Sequence, residues 1–156
     1  MGHDLFGQGV SLIEYAQVGL GSFIKLADAL GIEWVVVTDG DSAGLSYAAT
    51  ATGFLNGRPG ADHLVSLPHD NMEVYLCHSG YGPIYEANVS PQKVQTIQSQ
   101  VGTLQYWQEV VKAQASRSKP KMALKVAEAI KAAGVTGIPT EIRSAIEKSI
   151  ALARMG

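Results

Sequence analysis

Trp34-Val35-Val36-Val37-Thr38-Asp39-Gly40-Asp41-Ser42-Ala43-Gly44 decides how the rest of this 156-residue chain is read. Trp34 to Thr38 is a short apolar run of the kind that forms a strand buried on both faces. Leu45-Ser46-Tyr47-Ala48-Ala49-Thr50-Ala51 reads as a helix. The residues between them make a strand-to-helix turn carrying two carboxylates, Asp39 and Asp41. In open α/β sheets, ligands bind at the carboxyl ends of the strands. An acidic pair without Cys or His beside it suits a hard, oxygen-seeking cation such as Mg²⁺. If residues 38–41 stay extended, both carboxylates face one side. Gly40 and Gly44 allow close approach of the backbone to a metal or phosphate, and Ser42 is placed to cap the helix. An Asp-Gly turn with a helix cap would give the same letters without a metal.

The length suits one domain, or one domain with an appendage. No apolar run approaches the roughly 20 residues of a membrane helix, and Met1-Gly2-His3-Asp4 lacks the basic-then-apolar pattern of a signal peptide. The single cysteine, Cys77, excludes an internal disulfide, fits a reducing cytoplasm and reads as a small apolar residue in a helix. The net charge of -2 is unevenly spread. Residues 1–111 hold Lys25, Arg58 and Lys93 against eleven Asp and Glu, a net of -8. Residues 112–156 hold nine Lys and Arg against Glu128, Glu141 and Glu147, a net of +6. An acidic half and a basic tail suit a site that binds metals on one side and a polyanion on the other, although a solvated pair of Lys-rich helices would look the same.

Outward from the acidic turn, the order is strand, helix, strand, helix, strand. Residues 10–15 read as the first strand. Phe23, Ile24, Ala27 and Leu30 mark a helix closed by Gly31. The second strand spans about 33–38, a helix follows near 43–55, and residues 63–67 form a third strand after the turn at Asn56-Gly57-Arg58-Pro59-Gly60. Short connections between such elements imply a parallel sheet. After Pro68 only helices are expected. One spans about 70–78. A second starts at Ser90-Pro91 and runs, interrupted at Gly102, to about Ala115. A third opens at Lys119-Pro120, striped by Met122, Ala123, Val126, Ala127 and Ile130. The last is capped by Thr140 and striped by Ile142, Ala145, Ile146 and Ile150. The expected organisation is α/β over residues 1–67 and helical over 68–156.

Asp39-Gly40-Asp41-Ser42-Ala43-Gly44 after a hydrophobic strand resembles the D-x-D-x-x-G motif of Toprim domains, found in topoisomerases, primases, recombination proteins and OLD (overcoming lysogenization defect) nucleases. The stretch from Phe23 to Asp41 looks most like the OLD family. Asp70-Asn71-Met72-Glu73-Val74-Tyr75-Leu76 resembles the acidic segment opening that family's helical insert, and Lys119-Pro120-Lys121-Met122-Ala123-Leu124 its later lysine segment. The similarity runs from about residue 10 to 150.

The resemblance implies a Toprim-like, Rossmann-like parallel sheet and a divalent-metal nuclease acting on DNA. Asp39 and Asp41 match the metal-binding aspartates, and Glu73, with Asp70, the acidic position that helps hold a second metal. Two Mg²⁺ or Mn²⁺ ions about 4 Å apart would bind the scissile phosphate, activate water and stabilise the leaving oxygen. Lys119 matches the basic residue that stabilises developing negative charge, with Lys121 as the fallback. The family pairs this nuclease with an N-terminal ATPase, so the resemblance implies an ATPase domain or subunit as partner and a homodimer through the full-length protein.

The chain also departs from the family. Toprim domains carry a glutamate at the end of their first strand, and nothing before residue 10 matches it. Glu14 lies in the strand that corresponds to the second, so the role is not transferred to it. The expectation is a piece of a longer protein: an incomplete sheet, a metal site and incomplete catalytic equipment. His63, His69 and His78 lack metal-ligand spacing, and Trp34 and Trp107 read as packing residues. Two other readings stay open. One is a non-catalytic metal- or DNA-binding module completed by a partner that supplies the glutamate. The other is a receiver-like or phosphatase-like domain, which the turn to helices after residue 68 disfavours.

Overall fold

The computed structural model describes residues 4–15, 19–114 and 119–155. The chain divides into two compact units, residues 1–68 with 140–156, and residues 69–139. The last helix therefore groups with the α/β portion, whereas its sequence placed it with the helices that precede it.

In the first unit, α1 (Leu20–Ala29) buries Leu20 and Ile24, one turn apart on a single face. Gly31, at φ 67°, takes the left-handed conformation that ends the helix and turns the chain toward the sheet. β1 (Val36–Thr38) pairs in parallel with β2 (Leu64–Ser66), Val36 opposite Leu64 and Thr38 opposite Ser66. Between them lie α2 (Ser42–Thr52) and a single turn, α3 (Gly60–His63). Leu20, Ile24, Val36 and Ala51 form the core, flanked by Tyr15, Trp34, Tyr47, Phe54 and Leu64. α9 (Thr140–Ala153) packs on β2, and Lys148 Nζ donates to the Leu64 carbonyl at 3.4 Å.

Mixed α/β architecture with parallel pairing is as the sequence implies, but the sheet of the described residues has two strands, not three. Residues 10–15 form no strand. Leu12 and Ile13 are 85% and 62% exposed, so neither side of the segment presents them to a core. The segment is instead tied to β1 by one side chain, the Tyr15 hydroxyl donating to the Val37 carbonyl at 3.1 Å. The flanks of the second and third expected strands are also cut back. Residues 33–35 lie outside β1, and His63 closes α3 instead of opening β2.

In the second unit, α4 (Met72–Leu76) runs into a π-helical turn, Cys77–Tyr81, broken by Gly80 at φ 100°. α5 (Gly82–Glu86), α6 (Pro91–Val94), α7 (Leu104–Ala113) and α8 (Lys119–Ala133) follow, and a 3₁₀ turn spans Val135–Gly137. Gly82 is required by packing, because a Cβ there would sit 2.3 Å from the Trp107 ring. Ser90 precedes Pro91 as expected, but its side chain makes no cap bond and that helix lasts one turn. Thr103 opens α7 instead, its hydroxyl accepting from Tyr106 N at 3.2 Å. Ala115, where that helix was expected to end, lies outside the described residues. On α8, Met122 and Val126 are buried while Ala123 and Ala127 face solvent, which narrows the expected stripe.

Candidate functional site

β1 ends on Thr38, which is 3% exposed. Its hydroxyl donates to Ser66 Oγ at 3.1 Å, and its carbonyl accepts from Leu67 N at 2.8 Å. With Thr38 held, the chain leaves the sheet at Asp39. Asp41, extended at φ -83° and ψ 178°, is the N-cap of α2, its Oδ1 accepting from Gly44 N at 2.7 Å. The cap is therefore Asp41, not Ser42, which is the first helical residue. Gly44 is buried, and a Cβ there would lie 1.9 Å from the Asp39 carbonyl oxygen. Only glycine permits that approach, which folds the turn tightly enough to bring Asp39 and Asp41, both half-buried, to one cavity of about 210 Å³.

Two aromatic residues share the cavity with the acidic turn. Tyr15 and Tyr47 line the same cavity, their rings 5.1 Å apart and nearly perpendicular. Burial, then the neighbouring Tyr47 and the Asp39 charge, push the Tyr15 hydroxyl above its ordinary range, so it stays protonated at neutral pH. Glu14 also lines the cavity. Sequence reasoning set Glu14 aside, and its only local signal is its place beside Tyr15, whose bond to Val37 carries it there.

Among the described residues no three His, Cys, Asp or Glu side chains converge to enclose a metal ion. The donor set still fits the expected cation. Mg²⁺ keeps several waters and is held by one or two carboxylates plus substrate phosphates, so it needs no closed protein cage. Asp41 spends one acceptor site on Gly44 N, and a carboxylate has about four. The fixed cap bond orients the group for the remainder.

The other candidate residues belong to the second unit. Asn71 caps α4, its Oδ1 accepting from Val74 N at 2.9 Å, which sets Glu73 in the first turn. Lys119 Nζ lies 2.9 Å from Glu73 Oε1, so two residues 46 positions apart that the resemblance singled out are in contact. Lys119 is 68% exposed and Glu73 24%. Asp70 Oδ2 accepts from Gln108 Nε2 at 2.9 Å, a partner with no sequence signal beyond its place on α7. Lys121 is exposed on α8. Burial, helped by the Glu73 charge, pushes the Cys77 thiol up to about 12, so Cys77 is an inert core residue.

His63, Trp34 and Trp107 serve packing. His63 is buried, and its Nδ1 donates to the Trp34 carbonyl at 2.7 Å. Trp34 donates Nε1 to Asp28 at 3.2 Å beneath the Arg58 guanidinium, and Trp107 packs on Gly82. The His69 and His78 rings lie 4.5 Å apart, tilted at 53° to one another.

Residues 1–41 match the family model of the overcoming lysogenization defect protein-like TOPRIM domain. The match supports an OLD-family Toprim domain and ends on Asp41, so it takes in both aspartates of the turn. It points to a domain of nuclease or metal-binding type. Toprim domains generally bind divalent metals, and Toprim nuclease domains generally act on DNA. The chain is also 33% identical, over 98% of its length, to the uncharacterized protein YbjD of Escherichia coli K12. It spans about a quarter of that relative, 27% of its length. No solved structure matches the chain. No helix among the described residues is long and apolar enough to cross a membrane.

Proposed function

We propose that this chain carries the metal-binding part of an OLD-family DNA endonuclease that hydrolyses phosphodiester bonds. The observation that carries the reading is the cavity at the end of β1, where Asp39 and Asp41 meet within a turn that only Gly44 allows. These two carboxylates would hold Mg²⁺ or Mn²⁺, which would supply Lewis-acid stabilisation of phosphoryl charge and a lowered pKa for bound water. The chain's own residues do the rest. Asp41 is oriented by its cap bond and Asp39 by the pinned end of β1.

In the second unit, Glu73 and Asp70 are proposed as acidic ligands for a further ion, and Lys119 as the cation that stabilises the developing negative charge. Their support is the segment resemblance and the Lys119–Glu73 contact. An ATPase domain or subunit, a homodimer of the full-length protein and a cytoplasmic setting belong to the same proposal. The decisive experiment is incubation of the purified chain with supercoiled plasmid and Mg²⁺ or Mn²⁺. Nicking that survives both Asp39→Ala and Asp41→Ala removes these residues from the mechanism.

A second reading, a metal- and DNA-binding module without catalysis of its own, is favoured by the net charge of +6 on residues 112–156, which suits a polyanion. A polypeptide supplying a glutamate-bearing strand would then restore cleavage to an otherwise inactive chain. Full activity of the isolated chain argues against it.

A further inference from the structure

The cavity at the acidic turn has a part that metal binding does not use. Beyond Asp39 and Asp41, it is lined by Ile13, Glu14, Tyr15 and Tyr47, with Ala43 and Gly44 of the turn. The two rings stand at 75° to one another, so they form a corner and not a closed stack. Tyr47 is only half-buried, although it packs against the unit's core. Ile13 is 62% exposed at the same cavity. A phosphate and its hydrated cation have no use for such a wall, but a flat aromatic ligand does. Glu14 adds an acceptor at the edge, and every nucleobase carries at least one N–H donor to meet it.

We propose that this corner receives one unstacked nucleobase, that of the nucleotide adjoining the phosphate bound at Asp39 and Asp41. The inference rests on the metal-nuclease reading for the position of the phosphate. Tyr47 is the stacking platform, Ile13 the opposite contact, and Glu14 the acceptor for the base edge. The site then takes a strand whose bases are free to leave the helix, so single-stranded or frayed DNA binds better than a continuous duplex. A cavity of about 210 Å³ suits a single base. Its three carboxylates repel a polyanion unless a cation is present, so binding depends on divalent metal.

The test uses the full chain and single-stranded oligonucleotides carrying 2-aminopurine at successive positions, in Ca²⁺, with fluorescence as the readout. The expected result is quenching at one register. Tyr47→Phe keeps the quenching, Tyr47→Ala loses it and binds about tenfold more weakly, and a continuous duplex is not quenched. Ile13→Asp, at an exposed position where folding is not at stake, also loses it. Unchanged quenching in both Tyr47→Ala and Ile13→Asp overturns the proposal. Binding that needs Ca²⁺ and Asp39 but is indifferent to Tyr47 and Ile13 overturns the base pocket and leaves the metal reading standing. Quenching that needs Tyr47 but neither Ca²⁺ nor Asp39 keeps the pocket and overturns the metal reading.

Discussion

The Gly44 amide donates to the Asp41 carboxylate at 2.7 Å, while the Gly44 α-carbon presses on the Asp39 carbonyl so closely that a methyl group there would lie 1.9 Å from its oxygen. One glycine thus holds both aspartates of the turn, one by a hydrogen bond and one by contact. Gly44→Ala is expected to cost about 3 kcal/mol, the upper range for overpacking, because the obstructing atom is backbone. Urea denaturation measures it. Metal binding by calorimetry should fall with it, since the turn must open to relieve the clash.

Asp41 has two separable duties. As an N-cap it is replaceable by Asn, which ranks equally there, so Asp41→Asn should leave the denaturation midpoint nearly unchanged while Asp41→Ala costs about 1 kcal/mol. As a metal ligand it is not replaceable, and both variants should lose Mg²⁺ affinity. Equal Mg²⁺ binding by Asp41→Asn and the unmodified chain would falsify the ligand role while leaving the cap intact.

The Lys119–Glu73 pair is well formed but exposed on the lysine side. Exposed ion pairs contribute about 0–1 kcal/mol, so Lys119→Ala should barely shift the midpoint. If Lys119 stabilises charge in the reaction, the same variant should lower plasmid cleavage by about a hundredfold or more. A large stability loss with unchanged cleavage would make the lysine structural.

Arg58 donates to Asp28 at 2.5 Å, and this hydrogen bond is the main reason the Asp28 carboxyl lies below the usual carboxylate range. A group whose pKa is depressed on folding contributes stability above its unfolded pKa and loses it as pH falls through the folded one. Asp28→Asn should therefore be destabilising at pH 7, and the gap from the unmodified chain should close as pH drops below about 4. Urea midpoints between pH 3 and 7 would reveal it. A gap independent of pH would mean that shape, not charge, holds Asp28 in place.

Cys77, buried beside Glu73 with its thiol pushed up to about 12, should resist alkylation in the native protein. At pH 8 only on the order of one thiol in ten thousand is ionised. Labelling by iodoacetamide, followed by mass spectrometry, should appear only on unfolding.

What the sequence by itself determined here is local. The apolar run ending at Thr38, the helix starting within Asp41-Ser42-Ala43-Gly44 and the break at Gly31 depend on neighbours within a few positions, and each of these boundaries falls where its residues imply. The side chain that caps α2 was harder to read, because Asp41 and Ser42 are both good caps and only the turn's geometry chooses between them. The tertiary structure decided what depends on distant partners. Residues 10–15 have the letters of a strand but pair with no backbone ladder, because a strand exists only where a neighbouring chain accepts its hydrogen bonds. α9 joined the first unit because β2 offers a face for it. Glu14 and Tyr15 reached the acidic turn through the Tyr15 hydrogen bond to Val37 and its packing on Tyr47 and the core, and Gln108 reached Asp70 across 38 residues. Such contacts follow from how buried surface closes in space, which spacing along the chain does not encode.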